Sequence, residues 1–154
     1  MKKLTKVLSI CVALLLIVGC GAKPTAFTAT TDIDGEKTEM RFDGMGDTVN
    51  QIVQTTTIDL SDMSDEEKAL MQPILDSAVA QMQQELADIE GTSHSVEMVG
   101  DALVEILTID ASNKDSIESL SEKGLLPLEG SASKISMNET KKGLQAAGFT
   151  ITEE

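Results

Sequence analysis

The stretch "AFTATTDIDGEKTEMRFD", residues 26–43, decides how the chain is expected to fold. Apolar and polar side chains alternate around Phe27 and again around Phe42, and such alternation is typical of half-buried β-strands. The Asp34-Gly35 pair between the two runs is a common turn of tight hairpins. The stretch therefore predicts two antiparallel strands joined by a short turn.

The following residues extend the predicted sheet. The Gly-containing run at residues 44–47 predicts a second turn or bulge, and "TVNQIVQTTTIDL" at 48–60 predicts a third strand. A second hairpin is expected over 94–110, with Gly100 and Asp101 at its turn. We therefore expect an antiparallel three-strand meander and, later in the chain, a second hairpin.

A long helix is predicted between these two parts of the sheet, over residues 64–90. Ser64 and Glu67 form a capping box at its start, and Gly91 is suited to end it. Pro73 cannot donate a hydrogen bond to the preceding turn, so a kink or a break is expected there. Apolar residues spaced by three and four predict one buried stripe, made of Leu70, Met71, Ile74, Leu75, Ala78, Val79, Met82, Leu86 and Ile89.

The C-terminal third predicts shorter elements. A short helix is expected over 115–122, a loop over 125–133, and a C-terminal helix over 137–147 that begins with a second capping box, Ser136 and Glu139. A final extended piece follows. The predicted fold class is α+β, with the antiparallel sheet packed by the long helix and the C-terminal helix.

The N-terminus has the pattern of an export signal. Lysines precede an apolar run from Val7 to Gly19, which is shorter than the ~20 residues of a membrane-spanning helix. A core helix is the alternative interpretation, but the run lies at the extreme N-terminus behind the lysines. We therefore predict a secretory signal peptide at 1–19.

The residues Ile17-Val18-Gly19-Cys20 resemble the lipobox of bacterial lipoproteins. That resemblance implies cleavage between Gly19 and Cys20, and a diacylglycerol with palmitate-type chains on the Cys20 sulfur. Cys11 would be removed with the leader, so no disulfide is expected. The predicted organisation is a tether at 20–25 and one domain at 26–154. It is expected at the outer face of the bacterial cytoplasmic membrane, or at the outer membrane of a Gram-negative cell.

The chain is strongly acidic, with a net charge of −14. Removal of 1–19 takes three of the 12 basic residues and none of the 26 acidic ones, which gives −17. Nucleic acid and anionic lipid both repel such a surface. We therefore expect no nucleic-acid partner and a membrane attachment that depends on the lipid.

Few residues suggest chemistry. His94 is the only histidine and is expected in an exposed loop or at a strand edge. The acidic residues at 59–67 lack calcium-loop spacing and suit helix capping, while the methionines suit core filling. No nucleotide-binding or hydrolase motif is found. We predict no catalytic residue, cofactor or metal ligand.

A series of short motifs resembles one family over nearly the whole mature chain. They are Gly46-Asp47-Thr48-Val49, Pro73, Thr108-Ile109-Asp110, and the segment from Lys141-Lys142-Gly143 through Ala146-Ala147-Gly148-Phe149. Together with the lipobox, their order resembles the YehR-like bacterial lipoproteins, which share a domain of unknown function (DUF1307-type). The resemblance implies a small α+β lipoprotein domain and supplies no catalytic residues.

The leading hypothesis is a non-enzymatic binding or interaction module, with an unknown protein or small molecule as its partner. A carboxylate-dependent hydrolase and a small-solute receptor of the cell envelope are the alternatives. About 130 residues are few for a two-lobed receptor. A signalling role for the cleaved leader is a further alternative.

Overall fold

The fold is built on a six-stranded sheet, with strand order β4-β5-β3-β2-β1-β6. The computed structural model describes residues 22–123 and 134–154. The strands are β1 (Pro24–Ile33), β2 (Glu36–Met45), β3 (Thr48–Asp59), β4 (Thr92–Val99), β5 (Ala102–Asp110) and β6 (Thr150–Glu153). All neighbouring strands are antiparallel, and the expected α+β class with its meander and second hairpin is confirmed.

The hairpin of residues 26–43 forms as expected. Asp34 and Gly35 both have positive φ, 53° and 86°, which two-residue hairpin turns of type I′ require. Phe27 lies directly opposite Phe42, and their rings stack with centroids 4.6 Å apart. This aromatic pair fixes the register because a slip of one residue would turn both rings to the opposite face.

In the described part of the chain, three helices cover one face of the sheet: α1 (Asp65–Leu86), α2 (Lys114–Glu122) and α3 (Met137–Ala146). Phe27, Phe42, Ile52 and Ile109 form a row across four strands of this helix face. The helices bury apolar side chains against that row, and the fully buried ones, Ile117 and Leu120, belong to α2. The opposite, open face carries the row Thr28, Arg41, Val53 and Thr108.

Helix α1 differs from the expected helix in its end and its packing. It continues through Pro73 without a break and ends at Leu86, four residues early. Leu70, Ile74 and Ala78 are exposed, so the prediction of one buried stripe is wrong for them. The reason is that α1 packs mainly against the single edge strand β4, and one strand covers only part of the apolar side of the helix. Of the α1 residues, only Leu86 is buried.

Several boundaries also shift. β1 begins at Pro24, so the last two residues of the expected tether belong to the sheet. The predicted extended piece at the C-terminus is an edge strand, β6, paired with β1. The expected loop over 125–133 lies outside the described residues. Within the described ranges, no helix is long and apolar enough to cross a membrane.

Candidate functional site

The predicted lipid attachment at Cys20 and the cleavage position at Gly19 lie outside the described residues, so lipidation stays a prediction. The first described residues, from Ala22 onward, lie beside the β2–β3 turn. The backbone N–H of Gly46 donates to the Lys23 carbonyl at 2.9 Å, and the Thr25 hydroxyl donates to the Gly46 carbonyl at 2.8 Å. We call this end of the sheet the anchor end.

Helix α3 is attached to the same end through Asp47. Its carboxylate accepts hydrogen bonds from the Asn138 backbone N–H and the Ser136 hydroxyl, both at 2.9 Å. These bonds, first of all the one from Asn138, hold the pKa of Asp47 below its usual range. Asp47 therefore joins the β2–β3 turn to the start of α3. This structural role explains its carboxylate at the turn, and no ligand-binding role is needed.

The second predicted capping box forms only in part. Ser136 accepts from the Glu139 backbone N–H, but the Glu139 carboxylate pairs with Lys142 at 3.0 Å instead of returning to Ser136. In contrast, the box at Ser64 and Glu67 is complete. The hydrogen bonds from Ser64 hold the pKa of Glu67 below its usual range.

The opposite end of the sheet, the far end, is formed by the β1–β2 turn, the β4–β5 turn and the start of α1. Antiparallel pairing places the β1–β2 and β4–β5 turns at the end of the sheet opposite Gly46. The Lys68 ammonium contacts the Asp101 carboxylate at 2.8 Å, and the Leu60 N–H donates to the Asp101 carbonyl at 2.8 Å. These contacts fix the first turns of α1 beside the β4–β5 turn.

Large apolar side chains are exposed in the far half of the molecule. Within the described part of the chain they are between 41% and 74% accessible, and they are Ile33, Leu70, Ile74, Met98 and Val99. All five lie at the ends of β1 and β4 or in the first half of α1. Scattered apolar side chains are normal on a surface, and these five all lie toward the far end of the sheet.

The far end is also rich in carboxylates. They are Asp32, Asp34, Glu36, Asp59, Asp62, Asp65, Glu66, Glu67 and Asp101. The lysines there are Lys37, near Glu39 at 3.9 Å, and Lys68, paired with Asp101. A depression of about 400 Å³ on the helix face combines Ile33 and Ile58 with the carboxylates of Asp34, Glu36 and Asp59. The far end is therefore both apolar and negative.

The dense acidic run at 59–67 serves turns and caps. Asp59 accepts from the Ser61 backbone N–H at 2.8 Å, which lowers the Asp59 pKa, and Glu67 completes the α1 cap. Among the described residues, no group of three or more His, Cys, Asp or Glu side chains is arranged to hold a metal ion.

His94 is the site residue whose surroundings the sequence predicted least well. It lies on the edge strand β4, which agrees with the expected strand-edge position and not with an exposed loop. Its side chain, however, is only 3% exposed. Its Nε2 is 2.6 Å from a carboxylate oxygen of Glu105, and its Nδ1 is buried without a hydrogen-bond partner. Glu105 is eleven positions away, so only the β4–β5 register brings the two together.

The methionines divide between core and surface. Met137 is buried, and Met40 and Met82 pack against the core, as expected for core filling. Met98 is exposed at the far end instead, because β4 is an edge strand and α1 leaves its last residues uncovered.

A second groove, of about 200 Å³, runs between α1 and β4. Its lining includes Leu75, Asp76 and Val79 from α1 and Val96, Glu97 and Met98 from β4. No pattern in the sequence predicts this groove, because it depends on α1 lying beside the edge strand.

On the open face, Arg41 is the centre of an ion-pair cluster. Its guanidinium donates to both carboxylate oxygens of Asp43, at 2.9 and 2.8 Å, and to the Glu154 carboxylate. These bonds, led by that to Asp43, raise the pKa of Arg41, and the bond from Arg41 lowers the pKa of Glu154. The cluster holds the C-terminal residue against β2, so its charges have a structural role.

The fold and the two ends define a small α+β domain with a helix-covered sheet. The family model "Protein of unknown function (DUF1307)" matches residues 25–150, which is most of the chain. The chain therefore belongs to the DUF1307 family, and the resemblance to YehR-like lipoproteins is confirmed.

Relatives and solved structures agree with this assignment. "Uncharacterized lipoprotein Lin0239" of Listeria innocua is 28% identical and aligns with 100% of this chain and 98% of its own length. "Uncharacterized lipoprotein Lmo0207" of Listeria monocytogenes is 26% identical over 97% and 95%. The NMR structure of Escherichia coli YehR has a TM-score of 0.61 at 18% identity, covering 86% of this chain and 93% of that one. This structural likeness shows a common fold.

Proposed function

We propose that the protein is a bacterial lipoprotein, anchored through a diacylglycerol on Cys20 at the outer face of the cytoplasmic membrane. We further propose that it acts as a non-enzymatic binding module whose far end contacts the partner. The Listeria relatives named lipoproteins and the motif ending at Cys20 support the anchor. The exposed apolar side chains of the far half carry the proposal of binding.

The position of the anchor gives the far end its direction. Two residues, Gly21 and Ala22, separate Cys20 from Lys23, and three residue-to-residue steps span at most about 10 Å. Since Lys23 is hydrogen bonded at the anchor end, a lipid on Cys20 would hold this end against the membrane. The far end would then point away from the bilayer, where its carboxylates avoid the negative surface of anionic lipid.

The experiment is crosslinking and capture from membranes of cells that produce the full chain. A double variant, Leu70→Asp with Ile74→Asp, places two charges on the exposed side of α1. Gln84→Asp, at an exposed position nearer the anchor end of the same helix, is the matched control. We expect the native chain and the control to capture the same partner and the double variant to lose it. Equal capture by the double variant at unchanged thermal stability would contradict a role for the far end.

A small-solute receptor or a carboxylate-dependent hydrolase would use a different part of the far end. Asp34, Glu36 and Asp59 line the depression together with Ile33 and Ile58, and this acidic lining suits a small cationic ligand. A thermal-shift screen with small cationic solutes examines this alternative. Stabilisation that is lost in Glu36→Gln would favour it over a protein partner.

A further inference from the structure

Strand β4 forms one edge of the sheet over eight residues, Thr92–Val99. The other edge, β6, has four residues, and its Glu153 is paired with Lys141. Proteins usually protect long edges with lysine, proline or a bulge. β4 contains neither lysine nor proline, and its pairing with β5 is regular along its whole length. It is therefore the edge at which a further strand can be added.

The hydrogen-bonding pattern identifies the free backbone groups. The Asp110 N–H donates to the Gly91 carbonyl at 2.7 Å, and hydrogen-bonded and non-bonded pairs alternate along an antiparallel ladder. In the observed register, the odd-numbered residues from Ser93 to Val99 therefore bond to β5. The N–H and C=O groups that point outward belong to Thr92, His94, Val96 and Met98.

The groove between α1 and β4 lies along these outward groups. A strand added to β4 would lie about 4.8 Å from it, and every second side chain would point to the helix face. Those side chains would meet Leu75 and Val79 of α1 and Val96 of β4, which supply an apolar wall. Strand addition in such a position gains affinity from main-chain hydrogen bonds and specificity from alternate side chains.

A carboxylate sets the charge of the occupant. Asp76 and Glu97 both line the groove and are both exposed. Glu97 alternates with Val96 and Met98 along β4, so its side chain projects to the face away from α1. No described lysine or arginine forms an ion pair with either of them. A second copy of this chain also has a net charge of −14, which disfavours it as the occupant.

We propose that the groove between α1 and β4 binds an extended segment of a partner polypeptide as an added strand. The segment carries apolar side chains toward α1 and, on the opposite face of the added strand, lysine or arginine beside Glu97. This inference rests on the proposed binding function and names the class of partner.

The test uses a blocked eight-residue peptide of alternating lysine and valine, with a glutamate-valine peptide as the charge control. Binding is measured by fluorescence anisotropy and by hydrogen exchange of the backbone amides. We expect the lysine peptide to bind at least tenfold more tightly than the glutamate peptide. It should also slow exchange at His94, Val96 and Met98.

Two pairs of variants separate the edge from the charge. Val96→Pro removes an outward N–H, which an edge strand tolerates, while Val96→Thr keeps it. We expect Val96→Pro to weaken binding at least tenfold relative to Val96→Thr at matched thermal stability. Glu97→Lys should weaken binding more than Asp62→Lys, which changes an acid outside the groove.

Equal affinity of the two Val96 variants, or no binding of the lysine peptide, would overturn the proposal. Protection of β4 that rises with protein concentration in the absence of peptide would assign the edge to a second copy and overturn it as well. If the peptide fails while the Leu70 and Ile74 variant still loses its captured partner, the groove proposal falls and the far-end binding function stands.

Discussion

At the scale of single residues, Gly91 shows how tightly the turn before β4 is constrained. Its φ is +73°, and a Cβ there would lie 2.6 Å from the Asp110 Cβ. The sequence identified Gly91 as a helix terminator. Its actual position is the start of the β4–β5 ladder, where its carbonyl accepts from Asp110. Local sequence could not show this second role, because Asp110 is distant in the chain.

Substitution of Gly91 by alanine is expected to lower the free energy of unfolding by about 2–3 kcal/mol, from backbone strain and the clash together. Gly100→Ala is the matched control, since Gly100 also has a positive φ, +65°, but no atom within 4 Å of a built Cβ. It should cost about 1 kcal/mol, the backbone part alone. Urea unfolding measures both, and equal losses would show that the contact with Asp110 relaxes freely.

At the scale of elements, local signals located the hairpins and caps correctly. The Asp34-Gly35 and Gly100-Asp101 turns and the Ser64 cap form where the sequence predicts them. These features depend on residues within one or two turns of each other. The exposure of Leu70 and Ile74 and the pairing of His94 with Glu105 depend on how α1 and β4 are arranged. Spacing within one segment contains no information on that arrangement.

The start of α3 gives a prediction at this scale. Ser136→Ala removes the acceptor for the Glu139 N–H and the donor to Asp47, so it should cost about 1 kcal/mol, as the loss of a helix cap does. Chemical unfolding measures the change, with Ser119→Ala on the half-buried side of α2 as a control that removes a hydroxyl without a cap. An equal loss in both variants would contradict a special role for the cap.

The carboxylate of Asp47 adds a pH dependence to the same contact. Its folded-state pKa is lowered, so the stability it contributes is present above its ordinary value of 3.8 and is lost as the pH falls below that value. Stability should therefore decline below about pH 4, and Asp47→Asn should make the decline shallower. Thermal unfolding between about pH 2 and pH 6 measures this, and identical slopes for both proteins would refute the assignment.

At the scale of the whole molecule, charge and anchor act together. Acidic residues exceed basic ones by 26 to 12, and the far end holds many of them. An acidic domain has no electrostatic attraction to anionic lipid, so the proposed attachment would depend on the acyl chains alone. A surface with basic patches would add a second, weaker contact with the anionic bilayer. With the lipid as the single proposed contact, the far end stays free to meet a partner.

The last prediction follows from that single contact. Once the leader is removed, a Cys20→Ser protein should leave the membrane fraction at low as well as high ionic strength, because the excess of acidic over basic residues gives no electrostatic attraction in place of the lipid. Cys11→Ser is the matched control: since Cys11 lies in the predicted leader, this variant should remain membrane-bound. Fractionation followed by labelling with a palmitate analogue measures both. A Cys20→Ser protein that stays on membranes at low salt and leaves at high salt would show that an electrostatic contact holds the domain. That result would overturn the proposed orientation, because the acidic far end is an unfavourable surface for such a contact.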